Sequence, residues 1–177
     1  MPSPPRRKSL PHEPPHFIGT SSAVYFITIC CQDRGRNQLC LSATARLLFD
    51  AAAFYHERHE WFVHLLVLMP DHLHLLASFE SDFGMSKVVE KWKRYTAIQA
   101  GVAWQRDYFD HRLRSDESLD EKAGYIRQNP VRAGLAAAAE EWPYVMFSDS
   151  QTGATQVGTS LRDVRSTGRP GGASLPA

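Results

Sequence analysis

The sequence contains no Cys-x-x-Cys pair, and its three cysteines, Cys30, Cys31 and Cys40, are odd in number. That excludes a disulfide framework and predicts reduced thiols in a cytoplasmic setting, packed as small hydrophobes on a first strand and its exit. No apolar run approaches the ~18 residues of a membrane span. The longest candidate, Leu65 to Leu76, is broken by Pro70, Asp71, His72 and His74, so no membrane partner is expected. The N-terminus lacks an apolar secretory h-region. Charge of one sign is also scarce. A net charge of +1 excludes a uniformly basic, histone-like binder of nucleic acid. Gly-rich phosphate loops are missing, since Gly84 and Gly101 are isolated, and no Ser or Cys lies in a nucleophile motif.

What remains is an ordinary globular chain of 177 residues, 43% hydrophobic and 22% charged, long enough for one self-sufficient core. Its ends differ from its middle. Residues 1–16 hold Pro2, Pro4, Pro5, Pro11, Pro14 and Pro15 beside Arg6, Arg7 and Lys8, which predicts an extended, disordered basic arm. Residues 148–177 are rich in Gly, Ser and Thr and read as a flexible tail. The domain between them, 17–147, is slightly acidic. Any nucleic-acid binding there must use a local patch.

Within that domain, the β-branched run Val24 to Cys31 predicts a buried strand. Ser42 to Arg58 has helical periodicity, with Ser42 as its N-cap. Trp61 to Met69 and His72 to Phe79 read as a hairpin about the turn Pro70-Asp71. Met85 to Val102 follows as a helix with Met85, Val88, Val89, Trp92, Thr96, Gln99 and Ala103 on its apolar face. Gln105 to Leu113 predicts a fourth strand. Ser118 and Glu121 form a capping box for a late helix that Asn129-Pro130 closes, and Trp142 to Phe147 is a short apolar closing segment. The order β-α-β-β-α-β predicts an α+β fold: a ferredoxin-like, split-βαβ antiparallel sheet with central first and third strands. Such a fold does not specify an activity.

The chemistry is concentrated in Met69-Pro70-Asp71-His72-Leu73-His74-Leu75-Leu76. On a strand, His72 and His74 share one face about 6.6 Å apart, while Leu73 and Leu75 point into apolar packing. Two adjacent imidazoles make half a metal site; two polar residues on a partly solvated strand are the simpler alternative. If the hairpin turn has two residues, His64 faces away from the pair. His12, His16, His56, His59 and His64 read as structural or exposed, and His111 is undecided. Two helical tyrosines carry the same device: Gln99 lies four residues after Tyr95, and Asn129 four residues after Tyr125. That spacing sets phenol and carboxamide on one helix face, so the amide oxygen can complete a metal shell. Spacing alone does not choose between the tyrosines. Lys87, Lys91, Lys93 and Arg94 suggest a phosphate-contacting ridge, with a solvated helix face as the alternative. Arg112, Arg114, Arg127 and Arg132 add basic groups around Tyr125. Trp104, Tyr108 and Phe109 can stack on unpaired bases, although core packing also accounts for them.

These segments, MPDHLHLL (69–76), KRYTA (93–97), WQRDYFDHRLR (104–114) and YIRQNPVRAGL (125–135), together resemble the REP-associated tyrosine transposases, single-tyrosine HUH endonucleases acting on single-stranded DNA. The resemblance spans roughly residues 20–147 and implies that an added C-terminal helix carries the nucleophile. It assigns His72, His74 and Asn129 to a magnesium or manganese cation and Tyr125 to nucleophilic attack. Tyr95 becomes the runner-up, because that family position tolerates phenylalanine. The implied reaction is metal-dependent cleavage and strand transfer at hairpin-forming palindromic repeats through a 5′-phosphotyrosine, by a nucleoid-associated enzyme. Relatives pair as homodimers to cut two strand ends or act as monomers. Two other classes remain open at this stage: a non-catalytic regulator that binds hairpin DNA or RNA, and a structural zinc domain. Only three convincing ligands argue against the latter.

Overall fold

Val24–Cys30 forms β1, a run of β-branched and aromatic residues suited to a half-buried pleat. In this computed structural model the described residues are 23–79, 84–114, 116–148 and 154–158. The basic arm at 1–16 and most of the expected tail lie outside them.

Helix α1 covers Ser42–Glu57. Its N-cap is Leu41 rather than the expected Ser42, and no side chain caps it. The entry is held one step earlier. Asn37 Oδ1 accepts from Cys40 N at 3.0 Å, and Asn37 Nδ2 donates to Cys40 O at 3.2 Å. Strands β2 (Trp61–Met69) and β3 (His72–Phe79) flank the two-residue turn. Helix α2 runs Met85–Ala100 and stops at Gly101, whose φ of 67° is readily adopted only by glycine. Of its expected apolar face, Val88, Val89, Trp92 and Thr96 are buried, whereas Gln99 and Ala103 are exposed.

Strand β4 is shorter than expected, Phe109–Arg112. The preceding residues are drawn elsewhere: Trp104 bridges Cys31, and Gln105 N donates to Cys30 O. Helix α3, Leu119–Arg127, begins as the sequence predicts, with Ser118 Oγ accepting from Glu121 N at 3.3 Å. The chain then enters a further single turn, α4 (Asn129–Arg132), instead of leaving the helix at Asn129. Pro130 near the start of that turn gives up no needed N–H. Val145–Ser148 forms β5, and Thr155–Val157 adds β6 within the stretch read as tail.

All pairings are antiparallel, in the order β4-β1-β3-β2-β5-β6. The first and third strands are internal, as the β-α-β-β-α-β order requires. Register then sorts residues between the faces, because directly paired residues point the same way. Ile27, Ile29, Leu66, Leu68, Leu73, Leu75 and Ala77 face α1 and α2 in the larger core. The opposite face joins Leu65, Val67, Met69 and Leu76 to Ile126 of α3. Leu119, Ala123 and Ile126, spaced i, i+4, i+7, form the α3 stripe that covers it.

Trp92 fills the centre of the α2 side, with ring centroids 6.2 Å from Trp61 and 5.5 Å from Trp104. Replacing it with alanine is expected to cost about 3–5 kcal/mol. Denaturant unfolding would register this as a lower midpoint with an unchanged slope. Among the described residues, no helix is long and apolar enough to cross a membrane.

Candidate metal and nucleophile site

His72 and His74 start β3 immediately after the turn and project from the α3 face. Their cross-strand partners are Cys30 and Thr28 on β1, and Met69 and Val67 on β2. The two rings lie edge to face, 5.0 Å between centroids. Each Nδ1 is engaged. Asp71 Oδ1 lies 2.7 Å from His72 Nδ1, and Thr28 Oγ1 lies 3.0 Å from His74 Nδ1. A carboxylate accepts only, so His72 donates through Nδ1, and in the neutral tautomer its Nε2 carries the lone pair. The same holds for His74 in the tautomer that donates to the hydroxyl.

Asp71 is itself held in place. Its Oδ2 accepts from Gly35 N at 2.6 Å and lies 3.3 Å from Arg34 Nε. Burial alone would raise its pKa, but the Gly35 amide, His72 and Arg34 outweigh that and keep it below the usual carboxylate value. Burial pushes His74 down to about 4, assisted by the charges of His72, Arg132 and Arg34. His74 is therefore a neutral imidazole at neutral pH, the form that binds a cation.

Asp71 and Thr28 were not legible as site residues. Asp71 looked like turn chemistry, and Thr28 becomes a partner only once the β1–β3 register is known. Asp71→Ala is expected to weaken Mn²⁺ binding about 10–100-fold, since it removes the group that orients His72. Calorimetric titration of the DNA-free protein measures this directly.

No group of three or more His, Cys, Asp or Glu able to hold a cation occurs among the described residues. A third donor would have to be of another type, such as a carboxamide oxygen. Two imidazole nitrogens, whose Nδ1 atoms are engaged by Asp71 and Thr28, and one amide oxygen would make a donor set of the kind manganese accepts. These donor types fit such a cation.

Asn129 stands on α4, directly after α3, and Tyr125 on α3 itself, 58% exposed. Both belong to the helical segment that covers the histidine face. Arg132 spans them: its guanidinium carbon lies 4.0 Å from the Tyr125 ring centroid, and Nη2 donates to Asn129 Oδ1 at 2.8 Å. Tyr95 lies on α2, packed across the sheet from the imidazoles. It lines an open groove with Phe54, Arg58, Lys91, Arg94 and Ile98.

The expected basic patch is divided between the faces. Lys87 and Arg94 belong to α2, on the side away from His72 and His74. Lys91 Nζ is 3.0 Å from buried Glu60. Lys93 donates to the carbonyls of Gln105 and Arg106 at 2.9 and 2.8 Å. Arg112 pairs with Tyr25 and so points to the α1–α2 side, not toward Tyr125. Arg114 is exposed before α3, and Arg127 lies over the Phe147 ring at 5.0 Å. Only Arg127 and Arg132 of the eight sit on the helical segment that carries Tyr125.

His56 and His111 have structural partners: His56 Nδ1 accepts from Val63 N at 3.1 Å, and His111 Nε2 bonds the Glu117 carboxylate at 2.9 Å. His59 is exposed, and His12 and His16 lie outside the described residues. His64 corrects an expectation. A bulge between Val63 and Leu65 turns it toward Ser78, on the same face as His74, where the two bond at 2.9 Å. It lies at the far end of β3 from the histidine pair.

Residues 20–129 match the family described as IS200-like transposase. The chain belongs to that family. Among curated relatives of these transposases, one from Haemophilus influenzae, assigned as a REP-associated tyrosine transposase, is 27% identical over 148 residues. That alignment covers 72% of this chain and 81% of the relative. The REP-associated tyrosine transposase of Escherichia coli is 25% identical over 126 residues, covering 70% and 75%. A solved REP-associated tyrosine transposase, bound to a REP hairpin, superimposes with a TM-score of 0.64 at 20% identity, over 77% of this chain and 82% of that one. This transposase thus shares the fold of a REP-associated enzyme.

Proposed function

We propose that this transposase cuts and rejoins single-stranded DNA at hairpin-forming palindromic repeats, with Tyr125 as nucleophile. His72, His74 and Asn129 would hold a magnesium or manganese cation. The observation that carries the reading is the division of the sheet. The helical segment with Tyr125 and Asn129 covers the face from which both imidazoles project, and Tyr95 belongs to the other face. The hairpin substrate is supported by the REP-associated relatives and by the fold neighbour solved with such a hairpin.

The chemistry supplied by a cation at that position is Lewis-acid polarisation of the scissile phosphate. The protein's own part is geometric. Asp71 and Thr28 fix both imidazoles, and α3 presents the phenol to the phosphate for in-line approach. The Tyr125 oxygen bonds to phosphorus as the bond to the 3′ oxygen breaks. The phenol proton is lost, and a proton is gained by the departing 3′-hydroxyl. One phosphodiester replaces another, so a second 3′-hydroxyl can reverse the step without ATP.

The test is incubation of the full chain with manganese and a 3′-labelled DNA hairpin carrying a single-stranded flank. The expected product is labelled protein that survives denaturing electrophoresis. Salt-dependent binding to many hairpins with no adduct on any of them would instead identify a non-catalytic regulator.

A further inference from the structure

Arg132 touches both members of the Tyr125–Asn129 device at once. Its Nη2 donates to Tyr125 O at 2.5 Å and to Asn129 Oδ1 at 2.8 Å, while its guanidinium lies 4.0 Å from the phenol ring centroid. The turn that delivers it is closed by Arg132 N donating to Gln128 O at 2.9 Å and Ala133 N donating to Asn129 O at 2.9 Å. The arginine backbone is therefore fixed relative to both groups it contacts.

A carboxamide has two ends that differ in chemistry: oxygen accepts, and nitrogen donates. Rotated by half a turn, Asn129 would offer an NH₂ group to a cation and fail as a ligand. Guanidinium has five donors and no acceptor, so it bonds only the oxygen and fixes the orientation of the amide. Oδ1 retains a second lone pair. The planar guanidinium, stacked on the ring, also limits rotation of Tyr125.

We infer that Arg132 is a positioning residue, which orients the Asn129 carboxamide toward the cation and holds the Tyr125 ring in its attacking rotamer. This rests on the proposed site and adds to it a group that sequence reading treats as a phosphate contact. The two roles separate under Arg132→Lys. Lysine keeps the point charge needed at a phosphate but loses the planar fork and the stack.

The experiment measures Mn²⁺ affinity of the DNA-free full chain by calorimetry, together with kcat and KM for adduct formation. Arg132→Lys is expected to weaken Mn²⁺ binding roughly tenfold, as other groups that orient metal ligands do. It should also lower kcat by about the same factor, with KM for the hairpin within about twofold. In an Asn129→Ala background, Arg132→Lys should cause no further loss of Mn²⁺ affinity, because the arginine acts through that amide. Wild-type Mn²⁺ affinity and kcat in Arg132→Lys, with a raised KM and a shallower salt dependence in Arg132→Ala, would overturn the inference and make Arg132 a phosphate contact. That result leaves the proposed site standing if Asn129→Ala still weakens Mn²⁺ binding. Unchanged Mn²⁺ binding in Asn129→Ala overturns both.

Discussion

Tyr125→Phe is expected to abolish the covalent protein–DNA adduct, a loss on the order of 10³-fold or more, while leaving the fold intact. The substitution deletes one oxygen from a side chain that is 58% exposed, so little packing is lost with it. Tyr125 carries the only side-chain hydroxyl on α3, and a phenyl ring in its place keeps the stack with Arg132 and cannot bond phosphorus. Tyr95→Phe is the matched control. That tyrosine is 46% exposed on α2, and the same deletion there should leave adduct yield within about twofold of the unmodified chain. Thermal unfolding of both variants should fall close to the parent, so that any difference in adduct reports chemistry. An adduct retained by Tyr125→Phe and lost in Tyr95→Phe would transfer the nucleophile to α2, and with it require a different cation position.

His74→Ala is expected to reduce manganese-dependent adduct formation by at least about a hundredfold. An imidazole held neutral near Thr28 provides a lone pair, and alanine provides none. Mn²⁺ affinity of the DNA-free protein should fall in parallel. Binding of the DNA hairpin at low metal should change far less, because a neutral imidazole offers no charge to a phosphate. The structural cost is the Thr28 bond, the stack with Phe26, whose ring centroid is 5.6 Å away, and the edge-to-face contact with His72, so a modest fall in unfolding temperature accompanies the loss. Full manganese-dependent activity in His74→Ala would remove the histidine pair from the reaction.

The path from sequence to structure was clearest where local chemistry decides. Alternation and turn residues gave the β2–β3 hairpin, and Ser118 with Glu121 marked the start of α3. What could not be read depends on contacts distant in sequence. The bulge that redirects His64 inserts one residue whose cost is met by pairing with Ser78. Strand β6 has a polar sequence and forms because Met146, Phe147 and Ser148 offer it a ladder. Helical periodicity showed an apolar face on α2, but nothing local in the sequence says which side of the sheet α2 and α3 each cover. That choice separates Tyr95 from Tyr125, and it also splits the basic residues that looked like one patch.

The Pro70–Asp71 turn has a consequence for cation entry. The carbonyl of Pro70 accepts from Gln38 N and Leu39 N, and that of Asp71 from Cys31 N, so the segment following β1 is laced to the hairpin tip. The backbone that carries both imidazoles is thereby fixed by the fold itself. A cation held there as proposed would freeze few additional torsions, with the spacing of the two imidazoles set by the scaffold instead of by the guest.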